Sequence, residues 1–484
     1  MRESAGQFIP VVFAAMLAAC SSESGTPEAQ EPEFPRVLVA ESEMVQVRRG
    51  ADGSLTNWRL APDLDPDILG IQVSPGEERE ACFFSGADSL CHSVGIDEAY
   101  DFVIRFEGQD YPTRILGQPP AAVFDEAYRE AHRGRITASV PEVYELVNVA
   151  IALTPYTRRE DNYLVERREP YYEDVMGHFS AVEQHPFVRW LNAELESGRY
   201  SSTKMSGYAF VFDSSGVIRR SPVYNSTNFV GQGNVLLPEL EQMQSFADAS
   251  DFQDFYRTNR ELYAEQESFV RDSLGVERML DWLRRNFPDV EFYDHVNIVF
   301  SPLVRGNQSV TWFRHTGFSE IQPHINFPYE RRLSGDDQLT PSSIALRRGA
   351  LLFTELNHGF INPTASLYSD RISAAMQNRE SWVDPEKSAA SYGWPESVFN
   401  EMMNWALVSL YYVDFAPEGD QDLLVSRNAR WQAEGRGFLR SPEFHEFLVD
   451  LYRDRPEGST VADLYPEIVE WFAAQAEQAG PGDK

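Results

Sequence analysis

Residues 351–363 read LLFTELNHGFINP, and the start signal for the helix holding them lies just upstream, at Thr340-Pro341. A Thr hydroxyl caps the free N–H groups of a first turn, and a proline is tolerated at the first helical position because its missing N–H has no partner there anyway. The helix is expected to run to about Phe360, before Asn362-Pro363 stops it. Positions 351, 354, 355 and 358 step by three and four, so Leu351, Thr354, Glu355 and His358 share one face. An acid and an imidazole side by side on an otherwise apolar helix mark where chemistry is to be sought.

The spacing is one residue away from H-E-x-x-H. In that pattern two His at i and i+4 bind zinc and the Glu between them activates the metal-bound water. Glu355 and the second His, His358, are present; Thr354 stands where the first His belongs. E-x-x-H alone is a weak signal, and a second helix strengthens it. From Pro395 to about Val413, apolar residues recur at Val398, Met402, Trp405, Val408 and Tyr412, with Glu401 inside the stripe. A carboxylate on a buried face must find a cation, a metal or hydrogen-bond donors, because burying it unpaired costs several kcal/mol.

The segment ELNHGFINP, residues 355–363, resembles the H-E-x-x-H-x-F-x-N-P segment of a family of uncharacterised bacterial secreted proteins and lipoproteins, classed as gluzincin-like metallopeptidases. Similar stretches are Glu142–Thr154 (EVYELVNVAIALT), Tyr171–Val188, Phe252–Tyr256 and Val299–Leu303 (VFSPL), so the likeness covers roughly 140–415. It implies that Glu355 is the general base, His358 a zinc ligand and Glu401, 43 positions on, the ligand Glu. Thr354 departs from the pattern, and a Thr hydroxyl is a poor, short neutral ligand. Zinc is therefore expected to be weakly held or absent, and Thr354→His to complete the site. Three outcomes stay open. The site is dead and its cleft binds a peptide or partner protein of the cell envelope. Or His324 or His315 supplies the missing ligand and the chain is an active zinc peptidase. Or no metal site ever existed. In the binding reading, Glu355 and His358 bond to each other or to Thr354. Tyr411 and Tyr412 are candidates for stabilising an oxyanion; His178 and His185 read as structural.

The rest of the chain sets the context. A net charge of −33 over 484 residues excludes a nucleic-acid-backbone binder, and the only lysines are Lys204, Lys387 and Lys484. Phe8–Ala19 is an apolar run of 12 residues, too short to span a bilayer and suited to a signal peptide. It ends Leu17-Ala18-Ala19-Cys20, which looks like a bacterial lipoprotein signal with Cys20 as the lipidated residue. Ser21 after it favours an outer membrane, the chain facing the periplasm. Arg2 followed by Glu3 is a weak basic region, and the alternative is an ordinary secretory signal. Residues 20–35 read as a disordered tether. In an oxidising compartment Cys82 and Cys91 are expected to form a disulfide, a redox or metal role with His92 being the weaker reading. Asp63, Asp65 and Asp67, interrupted by Pro66, read as a turn rather than a calcium loop, and Gly231-Gln232-Gly233 lacks the context of a dinucleotide fingerprint.

The fold expected is α+β. A β-rich domain over 36–118 includes runs at Arg36–Ala40 and Met44–Arg48 and a hairpin across Glu107–Asp110. A mostly helical, zincin-like domain follows over 119–477, with a frayed tail at 478–484. Its helices are placed from Pro119-Pro120 to about Arg133, from Pro141 to about Leu153, from a Ser250–Gln253 capping box through Tyr263, at Val276–Asn286, Ser441–Tyr452 and Val461–Glu477. Val296–Phe300 is a strand, and Arg305–Gln338 is read as irregular.

Overall fold

The structure is a computed structural model that describes residues 36–479 apart from 52, 54, 62–65, 75, 226–233, 332 and 334. The expected leader, Cys20 and the tether, together with Asp63, Asp65, Gly231–Gly233 and the tail from 480, lie outside the described residues. The fold is mixed α+β, β-rich at the N-terminal side and helical beyond it.

Eight strands open the chain: β1 (Val37–Val39), β2 (Met44–Arg49), β3 (Leu55–Arg59), β4 (Asp67–Gln72), β5 (Arg79–Ser85), β6 (Asp88–Val94), β7 (Ala99–Phe106) and β8 (Gln109–Gln118). They form two four-stranded sheets, β1-β7-β8-β4 and β3-β2-β5-β6. Alternating residues of both face one core, where Val47, Leu69, Phe83, Phe102, Ile104 and Ile115 are buried. The β7–β8 hairpin turns at Glu107-Gly108, both at positive φ, which matches the twist of paired antiparallel strands. Cys82 and Cys91 stand directly opposite on β5 and β6 and are disulfide-bonded.

Beyond Gln118 the helices gather around a sheet of order β13-β14-β12-β9, built from β9 (Arg135–Ser139), β12 (His295–Ser301), β13 (Ser309–His315) and β14 (Phe318–Asn326). A two-stranded ribbon, β10 (Phe210–Phe212) with β11 (Ile218–Arg220), lies between them in sequence. Arg305–Gln338 is thus not irregular: it contains the β13–β14 hairpin. Thr316 and Gly317 both take positive φ there, so the turn is of the same kind as that at Glu107-Gly108. The alternation that marks a half-buried strand is missing from β14, buried along nearly its whole length.

Other elements shift for local reasons. The helix expected from Pro119 begins at Glu126, with the Asp125 side chain accepting from the Tyr128 N–H. Ser250 does not open a capping box; its hydroxyl donates back to the Phe246 carbonyl and closes the preceding helix. The helix after it is split at Asn259. The last helix continues to Ala479. No helix among the described residues is long and apolar enough to cross a membrane.

Candidate functional site

The helix that starts at Thr340-Pro341 does not run through to the motif. Pro341–Arg348 ends at Gly349, and a new helix, Ala350–Ser366, begins there. A Cβ at Gly349 would lie 2.5 Å from Met279 Cε and 3.2 Å from the Leu274 carbonyl oxygen, so glycine permits the close approach at this break. Pro363 does not stop the second helix, because it falls in its last turns, where Thr364 and Ser366 bond back to Phe360 and Pro363 carbonyls. Leu352, Phe353, Leu356, Phe360 and Ile361 bury this helix in the main core. Gly359 meets the sheet: a Cβ there would lie 2.9 Å from Tyr293 and 3.3 Å from Ile321 Cδ1. The helix Pro395–Phe415 runs beside it, tied by the Asn357 amide donating to the Asn404 carbonyl at 3.0 Å.

The two helices bring His358 and Glu401 together, His358 Nε2 lying 3.7 Å from Glu401 Oε2. Both groups are already engaged. The Asn404 amide holds His358 Nε2 at 2.6 Å, and Asn362 Oδ1 lies 3.4 Å from Nδ1. Glu401 Oε1 accepts from Arg436 at 2.7 Å and from the Trp405 indole N–H at 3.1 Å. Arg436 also donates to the Tyr392 hydroxyl at 2.8 Å and to Gln432 at 3.1 Å. The rings of Tyr392, Trp405 and Phe438 surround its guanidinium at 5.1–5.7 Å. Thr354 turns away, donating to the Leu351 carbonyl at 2.7 Å. Glu355 has no hydrogen-bond partner among the described residues, so neither it nor Thr354 is bonded to His358.

The charges follow this geometry. Burial acts to raise the Glu401 carboxyl, and Arg436 and His358 outweigh it, leaving it below its ordinary value. Burial and the Glu401 charge push Glu355 up to about 8, against Lys204 and Arg436. Lys204, from the helix Tyr200–Ser206, is fully buried and donates to the Asn307 carbonyl at 2.6 Å. Burial lowers it to about 7, Glu355 acting in the opposite sense. Arg436 thus pairs with the Glu401 carboxylate, while Lys204 only opposes the rise at Glu355.

These side chains do not suit a zinc ion. Among the described residues no three His, Cys, Asp or Glu ligand atoms including His358 or Glu401 converge; the one such group is Glu80, Cys82 and Cys91, whose sulfurs are bonded to each other. His324 lies on β14 three positions from Ile321, the residue facing Gly359, so by alternation it points to the other face of the sheet. There it bonds Gln322 at 2.9 Å between the rings of Tyr144 and Tyr208. His315 ends β13, its Nδ1 accepting from the Phe124 N–H. Neither reaches the site. Tyr411 is engaged by Arg278 away from it. His178 bonds the Ser250 carbonyl and His185 caps the helix Pro186–Glu196.

Arg436, Asn404, Tyr392 and Lys204 were missing from the sequence reading. Asn404 was recoverable, one turn beyond Glu401 on the same face. Arg436 ends a π-helical turn, Trp431–Arg436, and Gly437 follows at φ 94°; no local spacing links it to Glu401. On the far side of Trp405 lies a cavity of about 570 Å³, lined by Ala350, Leu351, Trp405, Tyr412, Leu424 and Trp431. At its rim Arg347 and Arg427 are ion-paired with Asp336.

No protein-family model, curated protein or solved structure matches this chain.

Proposed function

We propose that this chain is a lipid-anchored binding protein of the cell envelope, built on a degenerate gluzincin-like site and recognising a peptide or protein segment without cleaving it. The observation that supports this most is Arg436: its guanidinium engages the carboxylate that would ligate zinc, and an arginine does not release its proton near neutral pH. Asn404 on His358 and the inward-turned Thr354 point the same way. The cavity beside Trp405 suits one large apolar side chain of a ligand; its walls are aliphatic and aromatic, and Trp431, 58% exposed, stands at its mouth. The anchor rests on the residues Leu17-Ala18-Ala19-Cys20, and Ser21 after them favours the periplasmic face of the outer membrane.

Two measurements test the reading. Elemental analysis of the natural protein should find well under one zinc per chain, and stoichiometric zinc would overturn the binding reading in favour of a peptidase. Calorimetric titration with unstructured peptides containing a central Phe, Leu or Trp should show binding that Leu351→Arg or Leu424→Arg abolishes with the fold retained. Equal binding by wild type and these variants would remove the cavity from the reading.

A further inference from the structure

A second cluster lies on the face of the β13-β14-β12-β9 sheet opposite the site helix, and none of its members belongs to the site above. Glu320 on β14 is fully buried, and its two oxygens accept five hydrogen bonds. They come from the hydroxyls of Tyr128 (2.6 Å) and Tyr224 (2.7 Å), from His295 Nδ1 (2.7 Å) and from the amides of Asn297 and Gln322 (both 3.3 Å). The other ring nitrogen of His295, Nε2, is 2.9 Å from the Thr137 hydroxyl on β9. With Nδ1–H donating to Glu320, Nε2 is left as an acceptor aimed at that hydroxyl. A carboxylate that sets the tautomer and orientation of an imidazole, which in turn takes a hydroxyl proton, is the arrangement that activates an oxygen nucleophile.

The nucleophile has access. Thr137 is only half-buried on an edge strand, and Asn297 stands directly across from it in register. Asn297 also lines a cleft of about 330 Å³, with Ser139, Gln322, Tyr208, Phe212 and Tyr224 among its other walls. Ser139, also a wall of the cleft, is two residues beyond Thr137 and so on the same face of β9. Its walls are mainly aromatic and aliphatic, and Glu142 at its side disfavours an anionic substrate.

We propose that Thr137, His295 and Glu320 form a nucleophilic relay for hydrolysis of an uncharged carboxylic ester with an apolar or aromatic acyl group. Thr137 Oγ1 forms a bond to the carbonyl carbon while its proton passes to His295 Nε2. The ester C–O bond then breaks, and the leaving alcohol takes that proton. A water, deprotonated by His295, attacks the acyl-threonine, releases the carboxylic acid and restores the hydroxyl. Thr137 and His295 are the catalytic residues and Glu320 a positioning residue. The inference is independent of the binding reading, because Arg436→Met leaves this face of the sheet untouched.

The test treats the full chain with a fluorophosphonate probe and with p-nitrophenyl butyrate, and locates any adduct by mass spectrometry of its peptides. Expected are a covalent adduct at Thr137 and ester hydrolysis that falls at least about 100-fold in Thr137→Val. Thr137→Ser should retain hydrolysis, a rescue that a merely structural role would not produce, and both variants should keep the wild-type thermal transition. A folded protein with no adduct at Thr137, an adduct elsewhere, or hydrolysis undiminished in Thr137→Val overturns the proposal.

Discussion

Arg436 decides what Glu401 can do. Its guanidinium is buried against three aromatic rings, and the carboxylate it meets is only 7% exposed. Removing one partner of such a pair leaves the other buried and unpaired, at a cost of roughly 3–5 kcal/mol. Arg436→Met should lower stability in urea by that amount, and Glu401→Leu with Arg436→Met should recover most of it. The same contact changes the outcome expected for metal. Thr354→His alone leaves Glu401 with Arg436 and His358 Nε2 with Asn404, so it should bring little zinc. Combined with Arg436→Met and Asn404→Ala, which free both donors, it should bring close to one per chain by elemental analysis. Glu355 sets a pH dependence. Its carboxyl is raised to about 8 in the folded chain from an ordinary 4.5. The folded state therefore holds a proton that the unfolded state releases, and this contribution is complete below about pH 4.5 and lost as pH rises toward 8. The full effect is on the order of 5 kcal/mol. Lys204, lowered to about 7, works in the opposite sense only above that pH. Glu145, raised to about 7 by burial, acts in the same sense, so wild type should lose more stability between pH 5 and 7 than Glu355→Gln does, the difference being the Glu355 contribution.

At the scale of elements, the position of the site depends on how the helix Ala350–Ser366 seats on the sheet. Gly359 is the close contact, with Tyr293 and Ile321 against it. Gly359→Ala should force these side chains apart and cost about 1–3 kcal/mol, measurable as a lowered urea midpoint. Amphipathic periodicity is readable where a helix has one buried stripe, as at Val276–Asn286, whereas Pro395–Phe415 is buried nearly all round. The capping-box spacing misleads at Ser250, whose side chain serves the helix before it rather than the one after it. The two hairpins show the same limit. Glu107-Gly108 was recognised because β7 alternates; Thr316-Gly317 has the same turn chemistry but leads into β14, which is buried on both faces and polar in places. His324, which the sequence places in an irregular segment able to fold over the site, is fixed by a strand on the far face of the sheet.

At the scale of the molecule, the β-rich segment and the helical segment have separate hydrophobic cores. The disulfide sits within the first and closes a short loop, Cys82 to Cys91. It contributes about 2.5–3 kcal/mol in the chain-entropy model. Cys82→Ala with Cys91→Ala should lower the thermal transition of the β-rich part and leave near-UV signals from the helical part in place; a common shift of both would show that they unfold together. The α+β class, most helices, the cysteine pair, and the demand of a buried Glu401 for a cation, a metal or hydrogen-bond donors can all be read from the chain alone. Those features rest on side-chain alternation over a few residues, or on the cost of burying a charge, and both can be read from neighbours in the chain. That the partner is Arg436, that Lys204 acts on Glu355, and that Thr137, His295 and Glu320 meet on one sheet face follows from the packing of distant elements. Those groupings join residues 25 to more than 180 positions apart; the demand for a partner is local, but which distant side chain meets it is set by how the elements pack.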